Sequence, residues 1–160
     1  MCTQMDERPD TQQGKYLTFL VDSTTYGMDI SYITEIVGIQ KITTLPESKE
    51  YFKGIINLRG RITPVIDMRT RLSKPETAYH DRTCIIVVES HDINAGLIVD
   101  GVAEVETFES DSIVPPPTGV GGGQSQILQG IAKAGDNIVL LVDLSLLLEN
   151  SPELLKLISE

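Results

Sequence analysis

KYLTFLVDSTTYGMDISYITEIV (15–37) and CIIVVESHDINAGLIVDGVAEVE (84–106) carry the reading of the fold. Laid over one another at an offset of 69, without a gap, they place Gly27 on Gly96 and Glu35 on Glu104. Leu17, Met28, Ile30, Ile33 and Ile36 fall on Ile86, Leu97, Val99, Val102 and Val105. A second block follows at an offset of 76, with GIINLRGRITPVIDM (54–68) over GIAKAGDNIVLLVDL (130–144). Gly54 then meets Gly130, Ile62 meets Ile138 and Asp67 meets Asp143. The seven additional residues of the second copy fall around PPPTGVGGG (115–123). Order, glycines and endings agree, which is the mark of a duplication.

Each copy is a series of short runs rich in Val, Ile, Thr and Tyr, broken by Gly, Pro, Asp, Asn and Ser. Such runs are strands bounded by turns. The expected strands are 15–22, 26–30, 34–41, 54–58, 61–67, 83–89, 94–99, 103–108, 127–134 and 137–143. Five twisted strands close into a small barrel, which removes exposed edges. The fold class is therefore mainly β: two similar five-stranded barrels, from about 15–68 and 84–144. Segment 69–83 joins the copies; its start, Asp67 to Leu72, suits one helical turn stopped at Ser73-Lys74-Pro75. Residues 1–14 are polar and aperiodic and are expected to be a disordered tail. At the other end Ser151 suits an N-cap and Pro152 a first helical position, so 149–160 is expected to form a C-terminal α-helix on an apolar stripe of Leu154, Leu155, Leu157 and Ile158.

The chain has 160 residues, 41% hydrophobic and 22% charged, as in ordinary globular domains. Its formal charge of −10 repels phosphate backbones, and five Tyr and three Phe without Trp offer little base stacking. Nucleic acid is excluded as the leading partner. The longest apolar runs, such as 138–142, fall far short of the ~20 residues of a membrane span, so no direct insertion is expected. The N-terminus has no basic region followed by an apolar stretch, so the cytoplasm is the expected compartment.

Catalytic chemistry finds few candidates. Two histidines, His80 and His91, sit in the turn-like contexts AYHDR and ESHDI. Cys2 lies in the tail, and Cys84 opens an apolar run as a small buried hydrophobe. No CxxC or HExxH is present, so neither metal nor cofactor is implied. Glu104 and Glu106 share one strand face toward solvent. The run Gly119 to Gly123 lacks the Lys-Ser/Thr of a phosphate-binding loop and follows three prolines, not a strand. Attention falls instead on Lys53-Gly54-Ile55-Ile56-Asn57-Leu58-Arg59-Gly60-Arg61, a strand–turn–strand run. Asn57 and Gly60 suit its positive φ values, and Leu58 is either folded onto the core or offered to a partner. Arg59 forms forked bonds with carboxylates, from a neighbour or from a partner.

These segments, together with LPESKEYFKGIINLRGRITPVIDMRTRL, DGVAEVETF and ILQGIAKAGDNIVLLVDL, resemble the CheW-like family of bacterial chemotaxis coupling proteins. The resemblance covers 15–148, and Gly54-x-x-Asn57-Leu58-Arg59-Gly60 is its most specific motif. It implies paired SH3-like barrels around a shared core, with exchange of strands between them permitted, and a non-catalytic adaptor in chemotaxis signal transduction. The implied partners are the cytoplasmic tip of methyl-accepting chemoreceptors and the regulatory domain of a CheA-like histidine kinase. The implied location is cytoplasmic, associated with membrane receptor arrays through those partners. Ile33, Glu35, Gly54, Asn57, Leu58 and Arg59 match the receptor-binding and coupling region, with Glu35 and Arg59 as an ion pair. Near the proline loop the chain departs from some relatives: Val114, Thr118 and Gly119 replace basic, acidic and aromatic residues that contact the kinase. The alternatives are the coupling protein of a related receptor–kinase array for surface motility and, from another class, a small β-barrel enzyme.

Overall fold

The computed structural model describes residues 14–44, 52–72, 74–75, 77–90, 93–115 and 127–149. Its strands are β1 (Lys15–Val21), β2 (Thr24–Asp29), β3 (Ile33–Gly38), β4 (Phe52–Leu58), β5 (Arg61–Asp67), β6 (Cys84–Ser90), β7 (Ile93–Val99), β8 (Gly101–Thr107), β9 (Ile113–Val114), β10 (Leu128–Ala134) and β11 (Asn137–Val142). All ten expected strands are present, and the two-residue β9 is the addition. Two short helices follow the ends of equivalent strands: α1 (Met68–Arg71) after β5 and α2 (Leu144–Glu149) after β11. The Asp67 carboxylate accepts from Arg69 N at 3.0 Å, and that of Asp143 from Leu146 N at 3.1 Å. The shared Asp at both strand ends is thus an N-cap. The C-terminal helix expected over 149–160, its Ser151 cap and the 1–14 tail lie outside the described residues, apart from Gly14 and Glu149.

Two sheets form, in the orders β3-β6-β7-β5-β4 and β9-β10-β11-β2-β1-β8. In each, the chain leaving one edge strand returns to the opposite edge. After β3, Thr43 pairs with Ile55 of β4, and after β8, β9 pairs with β10. Each sheet thereby curls into a barrel, called A and B here. Barrel A is one continuous stretch, 33–99, while barrel B combines 15–29 with 101–142. The copies have exchanged their first two strands, so 69–83 joins β5 to β6 within barrel A.

The registers repeat at the sequence offsets. Leu17 faces Met28 as Ile86 faces Leu97, and Leu17 faces Val105 as Ile86 faces Ile36. The parallel pair Val65–Gly96 recurs as Leu141–Gly27. Even the bulges coincide, between Phe52 and Gly54 and between Leu128 and Gly130. Exchange buries one face of β1, β2, β6 and β7 between the barrels. Leu17, Phe19, Met28, Ile66, Ile86, Val88, Leu97 and Val142 belong to this shared core. The other faces fill the barrels: Ile56, Leu58, Val65, Ile85, Val87 and Ile98 in A, and Tyr16, Phe108, Ala132, Val139 and Leu141 in B. Strands apolar on both faces explain why runs such as Cys84 to Val88 do not alternate.

Candidate functional site

At one end of barrel A all five strands converge on a recess of about 290 Å³. Its lining comes from β3 (Thr34, Glu35), β4 (Leu58), β5 (Arg61, Thr63), β6 (Val87, Glu89), β7 (Asn94) and Arg59 of the β4–β5 turn. Leu58 and Val87 are the top of the barrel's apolar filling, so the recess is the barrel's mouth. Polar groups ring it. Asn94 Nδ2 donates to Thr63 Oγ1 at 3.3 Å, and Thr34 Oγ1 donates to Val87 O at 3.2 Å. Arg59 Nη2 donates to Glu35 Oε2, closing an ion pair across the seam between β3 and β4.

The turn geometry corrects one expectation. Positive φ falls on Arg59 (53°) and Gly60 (88°), the I′ pattern, and not on Asn57. Asn57 stays in β4, and its Oδ1 accepts from Gly60 N at 2.8 Å, bracing the turn from one strand residue away. A non-glycine residue in the left-handed region carries a cost of roughly 1–2 kcal/mol. The open choice for Leu58 also closes: it is 9% exposed and folded into the barrel.

Glu35, Leu58 and Arg59 therefore meet at the mouth, with Asn57 beside it. Ile33 and Gly54 do not. Ile33 is half-buried against the shared core. Gly54 has φ 146°, and a Cβ there would stand 2.1 Å from Thr43 O, so the barrel itself demands the glycine. Thr34, Arg61, Thr63, Val87, Glu89 and Asn94 were missed by the sequence reading. Strand alternation marks each as facing one side, but nothing local says that five strands bring those sides together.

A wider cleft of about 690 Å³ runs between Leu20, Ser23, His80, Arg82, Cys84, Asp100 and Gly101 to Ala103. His80 is exposed, and its Nδ1 accepts from Arg82 N at 3.1 Å. Burial pushes the Cys84 thiol up, away from the thiolate a nucleophile needs. His91, Cys2 and the 119–123 glycine run lie outside the described residues. Among the described residues no group of three or more His, Cys, Asp or Glu is placed to hold a metal, and no helix is long and apolar enough to cross a membrane.

Residues 15–151 match the family model described as CheW-like domain. The chain is 34% identical over 135 residues to chemotaxis protein CheW of Bacillus subtilis, covering 84% of this chain and 86% of that protein. It is 30% identical over 141 residues to chemotaxis protein CheW of Klebsiella aerogenes, covering 88% and 85% respectively. Among solved structures, scaffolding protein TtCheW from Thermoanaerobacter tengcongensis aligns with a TM-score of 0.79 at 39% identity, over 85% of this chain and 92% of that one.

Proposed function

This chain belongs to the CheW-like domain family, and from that premise we propose that it is a non-catalytic chemotaxis adaptor, coupling transmembrane chemoreceptors to a cytoplasmic CheA-like histidine kinase. On this reading it works in the cytoplasm and reaches the membrane only through its partners. The mouth of barrel A, with Glu35, Asn57, Leu58 and Arg59, is the coupling surface, and Ile33 and Gly54 support it from the core and the β4 bulge.

One observation carries the assignment of the mouth. Arg59 occupies a left-handed turn position, while the equivalent residue of barrel B, at an offset of 76, is Gly135 with φ 64°. The first turn position is thus left-handed in both barrels, filled by the residue that fits it in one and by a strained arginine in the other. The intramolecular ion pair does not explain the choice. Arg59 is 70% and Glu35 29% exposed at the side chain, and such pairs stabilise by ~0–1 kcal/mol. A forked cation held at a rigid tip does explain it, as a contact for a partner's carboxylate.

The test is receptor-dependent kinase activity in reconstituted arrays, with thermal unfolding measured beside it. Arg59→Ala is expected to fold normally and to lose coupling, with partner affinity reduced about thirty-fold if Arg59 is an interface hot spot of ~2 kcal/mol. Arg59→Lys restores coupling only in part, because it lacks the planar fork. Wild-type coupling by Arg59→Ala removes the residue from the functional surface.

A further inference from the structure

The chain crosses between the barrels twice, and the two crossings are built differently. From β2 to β3 it passes through a 3-10 turn, Ile30–Tyr32, closed locally by Ser31 N donating to Asp29 Oδ1 at 2.9 Å. From β7 to β8 it passes through Asp100 alone. There Arg69, on α1, makes a fork onto the Asp100 carboxylate, Nε to Oδ1 at 3.0 Å and Nη2 to Oδ2 at 2.8 Å. The same guanidinium donates to Pro75 O at 2.9 Å and lies 3.4 Å from Asp22 Oδ1 in the β1–β2 turn of barrel B. Asp100 Oδ2 also accepts from Asp22 N at 2.8 Å. One side chain, 17% exposed, therefore ties barrel A's α1, the segment after it, the crossing residue and a turn of barrel B.

The other crossing is built without such a clamp. The positions equivalent to Arg69 and Asp100 at the other crossing are Ser145 and Ser31, which hold no such fork. Yet the strand registers on the two sides coincide. The barrels thus close and pair without a clamp at one crossing and carry one at the other.

We propose that Arg69 is a positioning residue for the adaptor: its clamp on Asp100, Asp22 and Pro75 sets the angle between the barrels and makes the β7–β8 crossing the stiff side about which they flex. This rests on the adaptor reading, because an adaptor gripped by two partners passes strain between them only if its two halves are held at a defined angle.

The experiment places spin labels at Ile62→Cys and Ile138→Cys, equivalent exposed positions on the two barrels, in a full-length Cys2→Ser, Cys84→Ser background. Distances are measured in this parent and in Arg69→Lys, Arg69→Ala and Ser31→Ala, and receptor-dependent kinase activity per folded molecule is measured for the same variants without the label and cysteine substitutions. The parent and Ser31→Ala are expected to give one narrow distribution and equal coupling. Arg69→Lys, which keeps the charge without the fork, is expected to at least double the width and to lower coupling threefold or more. Should Arg69→Ala not fold, Arg69→Lys carries the test, and Asp22→Ala, which removes a single arm from the protein surface, provides a milder version. An unchanged width in Arg69→Lys overturns the proposal. So does a widened distribution with full coupling, since the adaptor would then make no use of the angle. If the unsubstituted protein couples no receptor to a kinase, the adaptor reading fails, while the distances still decide whether Arg69 sets the barrel geometry.

Discussion

In barrel A the hairpin tip reads Leu58-Arg59-Gly60-Arg61, and in barrel B the equivalent tip reads Ala134-Gly135-Asp136-Asn137. Below the tips, Thr63, Val87 and Glu89 of A correspond to Val139, Thr18 and Leu20 of B. In B, Thr18 and Val139 are buried, and the Thr18 hydroxyl is consumed by backbone: it donates to Glu104 O at 2.8 Å and accepts from Glu104 N at 3.1 Å. In A the same level carries two arginines and two glutamates around a recess. One duplicated frame thus holds a mouth spent on closing its own barrel and a mouth left polar and open. Function in a duplicated fold is to be sought where one copy departs from what the shared backbone asks for.

The sharpest way to break the comparison is at Gly54 and Gly130, which occupy equivalent bulges. A methyl on Gly130 meets Ile113 Cγ2 at 2.6 Å and Val114 O at 2.9 Å; on Gly54 it meets Thr43 O at 2.1 Å, and φ is 146°. Gly54→Ala is expected to destabilise by ~3 kcal/mol or more, and Gly130→Ala by about 1–2 kcal/mol, read from urea unfolding. Equal losses would mean that left-handed backbone is not what separates the bulges.

A smaller effect contrasts the two crossings through acid. Burial alone would raise the Asp100 carboxyl; hydrogen bonds from Arg69 and Asp22 N–H, with the charges of Arg69 and His80, outweigh it and hold the group below its ordinary value. A carboxylate depressed in the native state contributes stability above its unfolded value of about 3.9, lost as pH falls through the native one. Arg69 and His80 are the charged neighbours that lower it, and the carboxylates of Asp22 and Asp67 act on Arg69 in turn. Asp100→Asn is expected to lose about 2 kcal/mol at pH 7 and to show a flatter decline between pH 5 and 2 than the parent, followed by chemical unfolding at each pH. Ser31→Ala is expected to retain the parent's slope, and an equally flat decline there would dissolve the contrast.

The smallest effect sharpens the comparison of the tips. Arg59→Gly copies barrel B's solution into barrel A. Relief of the left-handed strain, about 1 kcal/mol, opposes loss of an ion pair of similar or smaller size. Thermal stability is therefore expected to stay within ~0.5 kcal/mol of the parent. A marked drop in melting temperature would show that Arg59 serves the barrel and not its surroundings.

Much of this was legible from residues alone. The offsets 69 and 76 place equivalent strands correctly, because Val- and Ile-rich runs bounded by Gly and Asp read the same in each copy. Equivalence does not say which copy supplies a strand's neighbour, so the exchange of β1–β2 and β6–β7 became visible only in the pairing. Asn57 drew the positive φ by its usual turn preference, yet its side chain braces the turn while Arg59 bends. In sequence Asp143 reads as the end of the last strand and the helix signal starts at Ser151, because a strand's final Asp and a helix's N-cap are the same letter; the structure starts a helix at Leu144. Thr34, Thr63 and Asn94 are unremarkable on their own strands and come to line one recess only through closure.

The continuous run of barrel A inside a divided barrel B has a consequence for synthesis. β1 and β2 emerge first, but β8 and β11, their neighbours in the finished sheet, come off the ribosome only after all of 33–99 has been made. Barrel A has every one of its strands available by then, whereas the first hairpin, apolar on both faces, waits with open edges. Pairing at such separation is slow, since loop closure must precede any gain from contact. Until residue 142 appears, the nascent chain holds one barrel able to close and one exposed hairpin. That hairpin is the segment through which two unfinished copies would trade strands.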